Sequence, residues 1–143
     1  MRLARLVPPE QIAFRRFAPR DALAMPQHVT DPAQIPAPGA KVIEEHVGRV
    51  RTGTESLSVA HMVAPPGWSE PAQTPAFDEV TIVVRGTMRV EHDGGALDVG
   101  AGETVLCRAG ERVRYLNPSD AECEYWAVCA PAFSPDTVRR EGA

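Results

Sequence analysis

The chain has 143 residues, a length that suits one domain built around a single hydrophobic core. Hydrophobic residues make up 43% of it, which is typical of a globular protein and too many for a disordered one. The formal net charge is −4 and the sequence has no basic patch, so a nucleic acid is not an expected partner. There is no apolar run of about 18 residues to span a membrane and no apolar signal-peptide segment, so we expect a cytoplasmic protein.

Residues 1–40 differ from the rest of the chain because they are rich in proline and do not alternate between polar and apolar residues. Proline interrupts both helices and central strands. A short helix is predicted at 9–17, with Pro9 in its first turn. We interpret residues 1–40 as an N-terminal arm that packs on the domain or on a neighbouring subunit; a partly disordered tail is the alternative.

Residues 41–133 consist of short alternating segments separated by glycine and proline, a pattern that predicts β-strands. The predicted strands are 41–47, 57–63, 79–84, 87–92, 96–99, 104–107, 113–116 and 123–129. Eight short strands at this spacing indicate a β-sandwich or β-barrel with a pocket lined by alternate residues. Residues 134–143 are interpreted as a solvated C-terminal tail.

The three cysteines are Cys107, Cys123 and Cys129, and an odd number argues against a secreted disulfide framework. Cys123 and Cys129 fall on one predicted strand, about 20 Å apart at the usual rise of a strand, too far for a disulfide. We therefore predict buried free thiols.

Two spacings of glycine organise the predicted barrel. In the first, Gly67 is followed after five residues by Gln73-Thr74-Pro75, after three more by Glu79, and after six more by Gly86. In the second, Gly102 is followed after five residues by Arg108-Ala109-Gly110, after two more by Val113, and after three more by Asn117. Glycine at strand ends enters positive φ at little cost, so these glycines are expected to form turns.

The two spacings resemble the two sequence motifs of the cupin superfamily, and the resemblance covers about residues 55–131. It implies an all-β fold, the double-stranded β-helix or jelly-roll barrel, with the N-terminal arm added. It also implies a small organic ligand in the barrel and a homodimer. The motif glycines, Glu79 and Asn117 are in register with the family pattern, whereas the histidine positions hold Gln73, Pro75 and Val113.

Metal-binding members of this family use three histidines and one glutamate from these motifs, and this chain keeps only Glu79. One carboxylate does not hold a transition metal tightly, so no resident metal is expected. The alternative is a rearranged site for Fe, Mn, Ni or Zn around His61 and Glu79. Glu70, Asp78 and Cys107 are weaker candidates for a further ligand.

Glu79 is the candidate catalytic residue. Alternation places it on one face with Thr81 and Val83, which points it into the predicted barrel. Burial raises the pKa of a carboxyl group and equips it as a general acid or base. The alternative is an ion pair between Glu79 and an arginine, for which the candidates are Arg85, Arg112 and Arg114.

Five further residues are candidate ligand-binding groups: Gln73, Tyr115, His61, Trp68 and Phe77. Tyr115 shares the inward face with Val113, and Trp68 and Phe77 flank a loop expected to form the rim of the pocket. His61 points inward if its face of the strand does. The alternatives are that Tyr115 fills the core, that Trp68 and Phe77 anchor the loop, and that His61 is hydrogen-bonded to a neighbour.

The sequence leaves open whether the protein is an enzyme. The leading hypothesis is a small-molecule-binding barrel without a tightly bound metal, with isomerase, lyase or cyclase chemistry in which Glu79 exchanges a proton. The first alternative is a metal-dependent dioxygenase or lyase with ligands from His61 and Glu79. The second is a sensing or assembly protein with no catalytic activity.

Overall fold

The computed structural model describes residues 26–142 and contains nine strands and one short helix in that range. The elements are β1 (Ala33–Gln34), β2 (Val42–Val47), β3 (Ser58–Ala64), β4 (Asp78–Arg85), β5 (Thr87–His92), β6 (Gly95–Gly100), β7 (Thr104–Cys107), β8 (Val113–Leu116), β9 (Cys123–Ala130) and α1 (Pro135–Val138).

The strands form two antiparallel sheets. The larger sheet has the order β1-β2-β3-β9-β4-β7, and the smaller has the order β6-β5-β8. Their inner faces enclose one hydrophobic core, to which the larger sheet contributes residues such as Val83 and Tyr125 and the smaller sheet contributes Met88, Val90 and Tyr115. This is a jelly-roll barrel, as the sequence predicted.

Residues 68–73 run beside β8 and extend the smaller sheet, although they form only isolated bridges. Ser69 pairs with Leu116, and Gln73 pairs with both Val113 and Arg140. The backbone N–H of Gln73 donates to the Val113 carbonyl at 2.8 Å, and the Val113 N–H donates back to the Gln73 carbonyl at 2.9 Å. The two motifs are therefore joined at the positions where the family pattern has histidines.

All four motif glycines lie at strand ends with positive φ, as expected for turns: Gly67 at 70°, Gly86 at 84°, Gly102 at 83° and Gly110 at 86°. Asn117 is buried and joins three chain segments. Its Nδ2 donates to the carbonyls of Ala64, Pro65 and Ala121, and its Oδ1 accepts from Ser119. The motif asparagine thus fixes the loops at one end of the barrel.

All eight predicted strands are present, and each predicted bound is within one residue of the observed one. The sequence analysis did not predict β1, which is the part of the N-terminal arm that pairs with β2. The helix predicted at 9–17 lies outside the described residues. Cys107, Cys123 and Cys129 are buried free thiols, as predicted.

The prediction of a solvated tail at 134–143 is wrong for its described part. Ser134 caps α1, and Val138 is buried against Phe77 and Cys129 at one end of the barrel. Arg140 continues the smaller sheet by pairing with Gln73. The tail packs because Val138 finds an apolar partner in Phe77 and because its backbone bonds to the loop at 72–76: the carbonyls of Thr137 and Arg139 accept from that loop, and the Glu141 N–H donates to it.

No helix within residues 26–142 is long and apolar enough to cross a membrane.

The two glycines that follow a motif strand provide a matched stability test. A Cβ at Gly86 would lie 2.4 Å from the Glu122 carbonyl oxygen and 3.0 Å from the Cys123 Cα, whereas a Cβ at Gly110 would have no heavy atom within 4 Å. We expect Gly110→Ala to lower the free energy of unfolding by about 1 kcal/mol, the cost of the left-handed backbone. Gly86→Ala should cost about 3 kcal/mol or more, because the clash is with backbone. Chemical denaturation measures both, and equal losses would contradict the predicted steric difference.

Candidate functional site

Glu79 lies in a row of side chains that crosses the inner face of the larger sheet. In the strand register it is opposite Cys107 of β7 and Cys129 of β9, and Cys129 is opposite Ser58 of β3. Residues opposite each other in adjacent strands point to the same face. Cys107, Cys129 and Ser58 are buried. The predicted inward direction of Glu79 therefore agrees with the pairing of three strands.

Burial and, after it, the nearby carboxylate of Glu70 raise the pKa of Glu79 to about 7, while Lys41 and Arg140 act in the opposite direction. None of the three arginines considered from the sequence pairs with it. Arg85 binds Glu122 and Glu124, Arg112 binds Glu141 and Asp93, and Arg114 binds Glu91. Their carboxylate partners are other residues, so the alternative of an ion pair between Glu79 and one of these three arginines is wrong.

Lys41 is a basic residue near Glu79 that the sequence analysis did not consider as its partner. It lies just before β2, and its Nζ donates to the hydroxyl of Tyr125 at 2.5 Å. The same Nζ stands 3.5 Å from the centroid of the Trp68 ring. Burial lowers the pKa of Lys41 to about 8, although the charges of Glu70 and Glu79 oppose that shift. Among residues 26–142, Lys41 forms no ion pair with a carboxylate.

Glu70 and Arg140 complete this group. The Arg140 Nη2 lies 3.4 Å from the Glu70 Oε2, and the two residues are held by the bridged segments of the smaller sheet. Burial raises the pKa of Glu70, and the charges of Lys41 and Arg140 act against that rise. We call Lys41, Glu70, Glu79 and Arg140 the interior charged cluster, since the charges of the other three residues all act on the pKa of Glu79.

Several buried polar atoms have no hydrogen-bond partner among the described residues. They are the Oε1 of Gln73, the Oγ1 of Thr81, the hydroxyl of Tyr115 and the Nε of Arg140. Thr81 and Tyr115 point into the barrel. Burial is the main cause of the raised pKa of the Tyr115 hydroxyl, and the nearby Glu79 and Cys107 raise it further. Buried polar atoms are nearly always hydrogen-bonded in proteins. Three of these residues lie near Glu79: Thr81 shares its face of β4, the charge of Glu79 acts on Tyr115, and the charge of Arg140 acts on Glu79.

His61 does not join this group, and the inward direction considered for it is wrong. In the register it faces Glu44 and Trp126 on the outer side of the larger sheet. Its Nδ1 lies 2.9 Å from Glu44 Oε1 and its Nε2 lies 2.8 Å from Glu124 Oε2. Burial opposes protonation, but these two carboxylates raise the pKa of His61. The alternative of a histidine hydrogen-bonded to its neighbours describes this geometry.

The two aromatic residues expected at the rim lie in different places. Trp68 is half-buried, packs against the main core and covers Lys41. Phe77 is only 1% exposed and packs with Phe133, Cys129 and Val138 under α1. Phe77 thus anchors its loop, and its expected contact with a ligand is wrong because α1 covers it.

The residues present do not fit the metal site of the family. Within residues 26–142 no three His, Cys, Asp or Glu side chains converge as metal ligands. Glu79 has cysteines beside it, the histidine positions hold Gln73 and Val113, and His61 is on the other face of the sheet. The fallback site made of His61 and Glu79 is therefore wrong.

A cleft of about 140 Å³ opens between β7 and the smaller sheet. Its walls are mostly apolar, and they include Val90, Val105 and Val113. Cys107 lines this cleft and is also the register partner of Glu79. The cleft therefore reaches the edge of the row that contains Glu79.

Comparison with known proteins identifies the fold. The sequence pattern of a family described as "Cupin domain" matches residues 60–129. The polyketide cyclase RemF from Streptomyces resistomycificus has a TM-score of 0.65 and 19% identity over 85% of this chain and 87% of that one. A variant of oxalate decarboxylase from Bacillus subtilis has a TM-score of 0.67 and 19% identity over 79% of this chain and 31% of that one. Streptomyces PAC13 with uridine has a TM-score of 0.63 and 17% identity over 79% of this chain and 87% of that one.

A curated relative has much higher sequence identity. Endoribonuclease YbeY of Myxococcus xanthus is 50% identical over 107 residues, which are 75% of this chain and 36% of that protein. The chain thus spans about a third of the length of the relative that it matches.

The raised pKa of Glu79 predicts a pH-dependent effect on stability. The unfolded carboxyl group loses its proton near pH 4.5, while the folded one keeps it until about pH 7, so the native state becomes less favourable between these values. Glu79→Gln removes this cost. We expect no stabilisation at pH 4 and up to about 3 kcal/mol at pH 8. Urea denaturation at both values measures it, with Glu122→Gln, an exposed carboxylate, as the matched control. A stabilisation that is the same at pH 4 and pH 8 would contradict the raised pKa.

Proposed function

The chain belongs to the cupin superfamily, and we propose that its barrel binds a small organic molecule. Glu79 exchanges a proton with the bound molecule. The observation that supports this most directly is that Thr81, Tyr115 and Arg140, which lie near Glu79, each have a buried polar atom without a partner among the described residues. A ligand that occupied this space would receive hydrogen bonds from side chains that are already held in place by the sheets.

The acid–base role of Glu79 is supported by its position and its surroundings. A carboxyl group with a pKa of about 7 is present in both protonation states near neutral pH, which suits a general acid or base. The hydroxyl of Tyr115 is next to it and stays protonated, since burial and the neighbouring carboxylate raise its pKa far above the ordinary value. Tyr115 can therefore donate a hydrogen bond to a carbonyl or carboxylate oxygen while Glu79 moves a proton.

The reaction class that we propose is isomerisation, elimination or cyclisation, because these reactions need proton transfer and no electron acceptor. RemF, which shares the fold, is a polyketide cyclase. The homodimer stays a prediction, and the exposure of Ile82, Val84 and Leu106 on the larger sheet supports it.

A thermal-shift screen of small carboxylates and carbonyl compounds at pH 6 and pH 8 tests this proposal. We expect ligands that stabilise the wild-type protein and bind at least about tenfold more weakly to Glu79→Gln, because one buried hydrogen-bonded group is lost. Binding by Glu122→Gln, on the outer surface, should be unchanged. Protein dialysed against a chelator should bind equally well. Ligands that bind the wild-type protein and Glu79→Gln with equal affinity at both pH values would contradict the proposed role of Glu79.

We propose as a second function that the domain acts together with a YbeY-type endoribonuclease. The supporting observation is that 107 residues of this chain are 50% identical to part of such a protein, of which they form 36%. In that relative the matching segment is part of the same polypeptide as the rest of the protein. We infer that this chain also works close to a YbeY-type protein. The formal charge of −4 disfavours direct RNA binding by the domain itself.

The second function is tested by an RNA-cleavage assay with purified YbeY from the organism that encodes this chain. We expect the chain alone to leave RNA intact. Added in equal amount, it should change the cleavage rate at least about twofold, and a small ligand from the screen should modify that effect. An unrelated barrel protein of similar charge is the control. A cleavage rate that does not respond to this chain would overturn the proposal.

A further inference from the structure

We infer that Lys41 is a nucleophilic amine that forms an imine with a carbonyl compound bound in the barrel. This inference rests on the proposed function and narrows the ligand to an aldehyde or ketone. It starts from an arrangement that the acid–base role of Glu79 does not use: one lysine side chain enclosed between two aromatic rings. Lys41 is the only lysine of the chain.

The surroundings of Lys41 are aromatic and poor in direct anionic contacts. Its Nζ stands 3.5 Å from the centroid of Trp68 and 5.1 Å from that of Tyr125, and it donates to the Tyr125 hydroxyl. A lysine that keeps its charge in a protein interior is normally paired with a carboxylate. Among the described residues Lys41 has no such pair, and desolvation lowers its pKa to about 8.

A carbonyl compound suits this site better than an anion. Glu70 and Glu79 lie close enough to Lys41 to act on its pKa, and whenever they are ionised their negative charge would repel a carboxylate or phosphate. A neutral carbonyl compound meets no such repulsion. Its flat π-system also suits the face of Trp68, which is half-buried beside the amine.

The chemistry needs only groups that the barrel holds. The lone pair of the neutral Lys41 nitrogen forms a C–N bond with the carbonyl carbon, and the C=O π pair moves to oxygen, which takes a proton as the nitrogen loses one. The carbinolamine then receives a proton from the Glu79 carboxyl group on its hydroxyl oxygen. The C–O bond breaks, water leaves, and the nitrogen lone pair forms the C=N bond. Loss of the second nitrogen proton to the Glu79 carboxylate restores the acid, and nothing is oxidised or reduced.

Reductive trapping tests the inference. The purified full chain is incubated with a neutral aldehyde, benzaldehyde or butanal, and sodium cyanoborohydride, which reduces an imine to a stable secondary amine. At pH 7 an amine with a pKa of about 8 has roughly 300-fold more neutral form than an ordinary lysine. We expect one adduct per chain, mapped to Lys41 by tandem mass spectrometry, at least about tenfold faster than for Nα-acetyl-lysine. The rate should peak between about pH 7 and pH 8, because the neutral Lys41 amine becomes more abundant as the pH rises while the Glu79 carboxyl group loses its proton.

Two variants and one binding measurement complete the experiment. Lys41→Arg keeps the cation beside Trp68 but cannot form the imine, so its side chain should not be trapped; Glu79→Gln should slow trapping at least about fivefold by removing the acid. Circular dichroism shows whether each variant folds, and peptide mapping of the wild-type protein needs no variant. Aldehyde binding without a Lys41 adduct would overturn the imine and leave the proposed function standing. Absence of both, or an adduct confined to the α-amino group, would overturn the imine, while the thermal-shift screen decides the proposed function independently.

Discussion

Burial of charge is the constraint on which the interior of this barrel depends. Lys41, Glu70 and Glu79 lie close enough together for their charges to shift pKa values within the group, and the charge of Arg140 acts on all three. Desolvation disfavours the charged form of each titrating member, while opposite charges partly restore it. The result is a lysine and a glutamate whose pKa values, about 8 and about 7, are near each other and near neutrality. A site with this balance can redistribute protons at small cost when a ligand changes the local charge.

The sheets position this cluster through register and through the turns that end each strand. Glu79 is fixed by pairing with Cys107 on one side and Cys129 on the other. Arg140 is brought in by the C-terminal segment, which pairs with Gln73. Side chains held by two sheets and a docked tail lose little further freedom on binding, and this preorganisation is what proton transfer requires.

Alternation and turn chemistry made most of the fold predictable from the sequence, since eight strands and the motif glycines depend on local pattern alone. Local pattern does not determine which face of a strand points into the barrel. In β3 the larger β-branched residues Val59 and Val63 are on the outer face, while the small residues Ala60 and Ala64 are buried, so size suggested the wrong side for His61. Which face is inside depends on the neighbouring strands, and a single strand does not contain that information.

The interior charged cluster shows a second limit of sequence reasoning. Lys41 precedes its strand and Arg140 follows the last one, so neither position belongs to a motif, and their approach to Glu79 is a product of tertiary packing. The signal available in the sequence was composition: a chain with one lysine among 15 basic residues keeps that lysine inside the barrel. Where the family pattern has histidines, Gln73 and Val113 pair through their backbones, and the carboxyl group that remains has a lysine as its titrating neighbour. The proton transfer and imine formation proposed above would therefore use a carboxyl group and an amine in a barrel whose motif positions hold no histidine.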